Sequence, residues 1–275
     1  MAFLLRKSAR RALNALGFDI VRSPVIARLA ACEDKQTIRA NDAVEIEALY
    51  REFVFPEMPR RDNRAALLNN LVGTSIGEGI HVVHYLHKSM SIPGDICEFG
   101  VAQGATSRLM ANEIAESERK LWLFDSFEGL PAPSPQDRLI HDIFGLGSMG
   151  AYKGTMASPE TAVLEKLESI KFPKRRAVLK KGWVKETIKT GDLPQQVAFA
   201  YIDLDFYDPI KDALLFVDLI MPVGGHIIVD DYGWFSEGAQ TAVDEFVAST
   251  KQRFSFRLPL SSAGHFCILS KTALE

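Results

Sequence analysis

A chain of 275 residues, 47% apolar and 24% charged, has material for one large globular unit with a full hydrophobic core. Its formal net charge of −3 argues against the basic stripe of a nucleic-acid binder. Three widely spaced cysteines, Cys32, Cys97 and Cys267, offer neither a disulfide framework nor a cysteine zinc site, and the expectation is a cytoplasmic protein with reduced thiols. No apolar run approaches the roughly 20 residues of a membrane span.

The chain begins with "MAFLLRKSARRALNALGFDIVRSP", in which Arg6, Lys7, Arg10 and Arg11 alternate with Phe3, Leu4, Leu5, Leu13 and Leu16 at helical spacing. This reads as a short amphipathic helix, packed on the domain or on a partner subunit of a homo-oligomer, with peripheral membrane contact as the other option. It lacks the apolar core and cleavage site of a secretory signal. Two more helical patterns follow, "NDAVEIEALYREFVF" and "RAALLNNLVGTSIGEGIHVVHYLHKSM", the second interrupted by Gly73, Gly77 and Gly79, where a break is expected because glycine weakens helix interiors. His81, His84 and His87 recur at i, i+3, i+6 without neighbouring zinc ligands, so they read as a packing face. Residues 1–93 are thus expected to form a helical region with a cofactor lid, and residues 94–275 a sheet domain.

From residue 94 the apolar runs "DICEFG", "KLWLFD", "AVLKKG", "VAFAYID" and "GHIIVDD" alternate with helical patterns near 105–118, 158–170, 183–189 and 208–221. Another helix near 239–250 precedes "FSFRLPL" and "HFCILS". That alternation predicts an α/β fold with a mostly parallel, doubly wound sheet. The short "PLSSAGH" between the last two runs leaves no room for a crossover helix and predicts an antiparallel hairpin. The Pro- and Gly-rich stretch 131–157 is too long for an ordinary connection and reads as an active-site lid. His141 within it is a candidate base, since histidine titrates near neutrality.

Ligands of open α/β sheets bind beyond the carboxyl ends of the strands. The first strand ends in "CEFGVAQGAT", where Gly100 and Gly104 allow a tight turn and a close approach; this is not a GxGxxG pyrophosphate cradle. Asp125 ends the second strand about twenty residues on, where a carboxylate can accept hydrogen bonds from ribose hydroxyls. A phosphate-free nucleoside cofactor fits these features, and S-adenosylmethionine is the candidate. Asp203 ends the fourth run, and Asp230 with Asp231 the fifth. Three converging carboxylates repel unless a cation joins them, and Mg²⁺ takes such hard oxygen ligands. Asp203 is also the leading candidate for general base. Asp205 shares its face only if the strand continues that far, and Asp208 reads equally well as a helix cap.

Taken together, "GDICEFGVAQGAT", "FDSFEGLP", "LKKGWVKETI", "AYIDLDFYDP" and "PVGGHIIVDDYG" followed by "AVDEF" resemble the macrocin O-methyltransferase (TylF-like) family of Rossmann-like class I methyltransferases, and "GTSIGEGIHVVHYL" is similar to that family's helical segment ahead of the first strand. The resemblance runs from about residue 73 to 247. It implies Glu98 and Gly100 along the methionine part of the cofactor, Asp125 on the ribose with Ser126 beside it, and Gly182 and Trp183 near the adenine. Thr74 and Ser75 would belong to the segment that closes over the cofactor. It also implies a magnesium site at the three aspartates and a hydroxyl of a sugar, on a glycosylated natural product or a glycan precursor, as acceptor. The sequence departs from the family in "FGVAQGAT", where Gln103 precedes the only later glycine. An iron-dependent hydroxylase of the cephalosporin hydroxylase kind is a second reading; it would prefer a histidine among the metal ligands, and "VDDY" offers none adjacent to Asp230 or Asp231. A non-catalytic cofactor-binding module is the third reading.

Overall fold

The computed structural model describes residues 42–273; the basic amphipathic stretch at 1–24 lies outside them. Seven strands form one sheet: β1 (Asp95–Phe99), β2 (Leu121–Asp125), β3 (Ala177–Lys181), β4 (Val197–Ile202), β5 (His226–Val229), β6 (Phe254–Arg257) and β7 (Cys267–Lys271), in the order β3-β2-β1-β4-β5-β7-β6. The first five run parallel. β7 pairs antiparallel with both β5 and β6, so the expected hairpin is present with its second strand slotted inward. The strand order reverses between β1 and β4, which makes the carboxyl ends of those two strands the topological switch point.

Central strands are largely apolar because both faces of the sheet are covered. Residues alternate between the layers: Phe199 and Tyr201 of β4 face one core, Ala200 and Ile202 the other. Against the first layer lie α1 (Asp42–Leu49), α2 (Arg64–Leu68), α3 (Ile76–Lys88), α4 (Ala105–Glu113) and α5 (Glu160–Ser169). The second layer holds α6 (Val184–Thr187), α7 (Tyr207–Ile220) and α8 (Glu237–Ser249). Helices α1 to α3 share a single core with the sheet, through residues such as Ile46, Leu68 and Ile80 beside Ile96 and Phe199.

The glycine-bearing segment breaks at residues 69–75, where Gly73 has φ +85°. Gly77 and Gly79, expected to interrupt the helix too, lie inside α3. Two features override their weak propensity. Ser75 caps the helix by accepting from the Glu78 amide at 3.0 Å, the Ser-x-x-Glu spacing of a capping box, and a Cβ on Gly79 would stand 2.5 Å from the Leu71 side chain. The three histidines of this helix serve packing and pairing. His81 meets Tyr50, Phe55 and Phe266 edge-on, His84 stacks on Phe55 at 3.8 Å, and His87 pairs with Glu113 at 2.7 Å. Glu113 in turn holds the buried Arg64 guanidinium through two bonds of 2.9 and 2.5 Å.

Candidate active site

Four strand ends finish in step. Beyond the ladders, the amides of Gly100, Gly182, Asp203 and Asp230 donate to the carbonyls of Phe124, Asp125, Phe99 and Ile202 at 2.8–2.9 Å. The loops that follow surround a cavity of about 540 Å³. Gly100, Ala102, Asp125, Ser126, Gly182 and Trp183 line one end, and Asp203, Asp205, Asp230, Asp231, Trp234 and Phe235 the other. Gly100 is required by contact as well as by its φ of +82°, since a Cβ there would lie 1.6 Å from the Asp203 carbonyl oxygen. Gly104 (φ +77°) starts α4 and lies outside the cavity wall; its missing side chain admits Val163 of α5.

Glu98 of β1 is buried against α4 and, unlike Gly100, is not part of the cavity wall. Its Oε2 accepts from the Ser107 hydroxyl, while Oε1 is buried without a partner. Burial pushes its carboxyl up to about 8. A buried lone acceptor beside a glycine turn fits an ammonium or hydroxyl donor of a ligand. Asp125 is tied to its own loops: Oδ2 accepts from the Val101 and Ala102 amides at 2.6 and 2.9 Å, and Oδ1 from the Phe127 amide at 2.6 Å. A carboxylate has about four lone-pair positions, so one remains for the cavity. Ser126 closes its own turn, accepting from the Glu128 amide at 3.1 Å. Thr74 and Ser75 do not line the cavity, whereas Val72 and Gly73 do. The Ser75 hydroxyl, besides capping α3, donates to the Ala263 carbonyl at 2.6 Å.

At the acidic end, carboxylate oxygens of Asp203, Asp205 and Asp231 lie within 4.8 Å of one another. Asp205 (φ +61°) and Asp231 (φ +55°) both sit in the left-handed region, which short polar side chains tolerate and which turns their carboxylates back toward Asp203. Asp230, also assigned from sequence to this set, lines the same cavity with both carboxylate oxygens engaged. Its Oδ2 lies 3.2 Å from the Tyr201 hydroxyl and its Oδ1 accepts from the Asp231 amide at 2.7 Å. The same hydroxyl reaches Glu78 at 3.1 Å. Burial, then the neighbouring carboxylates, raise Asp203 and Asp231 well above the ordinary range. Asp205, whose bond with Asp231 works against burial, reaches about 6. Among the described residues this is the one cluster of His, Cys, Asp or Glu spaced for a metal ion, and it contains no histidine.

Sequence reasoning missed three residues. Glu78 meets the Tyr201 hydroxyl across 123 positions, and its capping-box spacing signals only a helix start. Asp137 is buried in the long loop and accepts from the Tyr207 amide at 2.8 Å, the Ser236 hydroxyl at 3.2 Å and the Ser134 amide at 2.7 Å. It supplies the bond at the start of α7 that the sequence assigned to Asp208, which is exposed in the first turn. Trp234 lies between His141 at 3.8 Å and His265 at 4.0 Å, nearly parallel to both rings. His141 is exposed, outside the cavity wall, with Nδ1 bonded to the Trp234 carbonyl at 2.7 Å.

The profile of the macrocin O-methyltransferase (TylF) family matches residues 72–258, more than half of the chain and all of the strands that build the cavity. The chain belongs to this family. Among curated proteins it is 28% identical over 144 residues to the 8-demethyl-8-(2,3-dimethoxy-α-L-rhamnosyl)-tetracenomycin-C 4′-O-methyltransferase of Streptomyces olivaceus, covering 51% of this chain and 54% of that one. It is also 28% identical over 163 residues to the demethyldecarbamoylnovobiocin O-methyltransferase of Streptomyces niveus, covering 58% and 60%. The chain therefore spans somewhat over half the length of these relatives. Of solved structures, the O-methyltransferase NovP superposes with a TM-score of 0.64 at 20% identity over 86% of this chain and all of that one. A calicheamicin methyltransferase gives 0.55 at 22% identity over 91% and 94%. At those identities the likeness is one of fold, that of the Rossmann-like class I methyltransferases.

Proposed function

We propose that this TylF-family protein is an S-adenosylmethionine-dependent O-methyltransferase that acts, with Mg²⁺, on a sugar hydroxyl of a glycosylated small molecule. The observation that carries the reading is one cavity lined by the glycine turn at Gly100, by Asp125 and by three facing carboxylates, with the lone buried oxygen of Glu98 two residues before that turn. Glu98 and the 100–103 turn would hold the amino-acid part of the cofactor, Asp125 its ribose, and Gly182 with Trp183 its base. The donor set of Asp203, Asp205 and Asp231 suits a hard divalent cation, with Asp230, linked to Tyr201 and Glu78, fixing the backbone turn that presents Asp231. Both curated relatives are O-methyltransferases, and one is named for a rhamnosyl compound, which supports the acceptor class. The hydroxylase reading requires a histidine in the cluster, which the described residues do not supply.

When bound, S-adenosylmethionine supplies a sulfonium methyl group, and a divalent cation a Lewis acid that lowers the pKa of a coordinated hydroxyl. The chain's part is to bring the acceptor oxygen and the methyl carbon together in line and to exclude water. Asp203 would take the proton of the acceptor hydroxyl as that oxygen gains the methyl group. Calorimetric titration with S-adenosylhomocysteine, with and without Mg²⁺, tests the reading: stoichiometric binding supports it, and no binding under either condition removes it.

A further inference from the structure

Three connections meet beside the acidic end of the cavity. The long stretch after β2 brings His141, the turn after β5 brings Trp234, and the connection between β6 and β7 brings His265. The Trp234 indole is sandwiched by the two imidazoles, whose planes are inclined to it by only 16° and 15°. Both of its faces are covered, so Trp234 forms part of the cavity wall as a fixed edge and not as a platform on which a ligand could stack. The two histidines are exposed and do not line the cavity, which removes them from direct contact with the reacting atoms. Partial burial, then the facing His141, hold the His265 imidazole below its usual range, as expected of two rings that sense each other across the indole. The backbone follows the rings. Residues 138–141 run antiparallel to 234–237: the amides of Glu237 and Ile140 donate to the carbonyls of Arg138 and Phe235 at 2.9 and 3.0 Å, and His141 Nδ1 donates to the Trp234 carbonyl at 2.7 Å. Trp234 also ends the turn that presents Asp231, since its own amide donates to the Asp231 carbonyl at 3.1 Å across Gly233 (φ +74°).

We infer that His141 and His265 are positioning residues. By clamping Trp234 from both faces they hold the 138–141 segment and the 231–234 turn in register, and so fix where the Asp231 carboxylate stands among the three that face one another. The role rests on the reading of Asp231 as a cation-holding carboxylate; the clamp rests on the rings and on the bonds between the two segments. The turn needs such support, because Asp231 (φ +55°) and Gly233 both occupy the left-handed region, a conformation that persists in a non-glycine residue only when its surroundings impose it. One of those constraints is the bond from the Trp234 amide, and the indole that anchors this amide is itself anchored by loops distant in sequence. Removing either imidazole frees one face of the indole and lets the turn relax. Simple surface packing of the two rings would instead stabilise the loops locally and leave the carboxylates where they are.

The test uses the full-length protein, with Mg²⁺ alone and S-adenosylhomocysteine as probes, and the variants His265→Ala, His265→Phe and His141→Ala. Hydrogen exchange is followed at the amides of Ile140 and Trp234. These amides bond to Phe235 and Asp231, so the loss of His265 reaches them only through the indole. His265→Ala is expected to speed exchange at both by roughly two- to tenfold, the range of one aromatic contact, and to weaken Mg²⁺ binding by a similar factor, with S-adenosylhomocysteine affinity unchanged. His265→Phe keeps a ring on the indole and is expected to restore both readings. His141→Ala removes the stack and a hydrogen bond together and is expected to have the larger effect. Unchanged exchange at Ile140 in His265→Ala overturns the inference, as does an effect that His265→Phe fails to restore. Mg²⁺ affinity that stays constant while exchange quickens overturns it as well, because the clamp would then hold the loops without positioning Asp231. A wild type that binds no Mg²⁺ removes the cation from the proposed function, and the positioning of the turn then stands or falls with exchange at Trp234.

Discussion

At the scale of single residues, Asp203 and Gly100 belong to one contact and are expected to fail differently. Asp203→Asn keeps the shape and removes the proton acceptor. Methyl transfer is expected to fall by roughly 10²–10⁴-fold while S-adenosylhomocysteine affinity changes little; calorimetry beside a turnover assay separates the two, and parallel loss of both would displace Asp203 from its role. Gly100→Ala forces a Cβ into the Asp203 carbonyl at a positive φ. A loss of about 1–3 kcal/mol of stability is expected from the backbone strain alone, together with weakened cofactor binding, read from denaturant melts and titration. The aspartates at the strand ends were legible in the sequence because apolar runs that stop at a charge mark the carboxyl edge of a sheet. That Asp205 joins the facing carboxylates while Asp230 turns to Tyr201 was not legible. It depends on two left-handed backbone positions and on a phenol that neither spacing nor composition reveals.

Elements show the same division. The alternation of runs and helical patterns sufficed for the order of strands and helices, since strand length, apolar content and the short final connection each admit few arrangements. The start of α3 was harder, because glycine propensity argued for a break at 77 and 79 while a cap and close packing on Leu71 settle the helix one turn earlier. Ser75→Ala removes both the cap and the tie to Ala263. The expected cost is about 1 kcal/mol for the cap, visible as a lower denaturation midpoint with an unchanged slope. Because the same turn carries Glu78 toward Tyr201, a drop in Mg²⁺ affinity is expected alongside; an unaltered Mg²⁺ titration would detach α3 from the acidic end. Arg64→Ala leaves the buried Glu113 carboxylate between α2, α3 and α4 with His87 as its remaining ion-pair partner, and a loss of up to about 3–5 kcal/mol is expected. A change within measurement error would mean that Glu113 finds another partner.

For the whole molecule, buried titratable groups set opposite pH trends. Asp205, at about 6, and Glu98, at about 8, hold protons in the fold that the unfolded chain releases above pH 4 or so. Their contribution to stability therefore declines as pH rises through that window. His81, at about 4, and His226, at about 3, are buried neutral. The unfolded chain binds protons that they refuse, so their contribution is lost as pH falls below about 6.5. The metal-free protein is expected to be most stable between these limits. Mg²⁺ binds the deprotonated carboxylates, so it should raise the melting temperature more at pH 8 than at pH 5.5; an equal rise at both, or none, would count against the cation. The position of β7 between β5 and β6 also governs assembly. During synthesis β5 has an unpaired edge until residues 267–271 arrive, and β6 has nowhere to dock before then. The strand that leads into Asp230 and Asp231 is thus covered on its outer side only at the end of synthesis, and chains halted before residue 267 present a sticky edge next to the acidic end of the cavity.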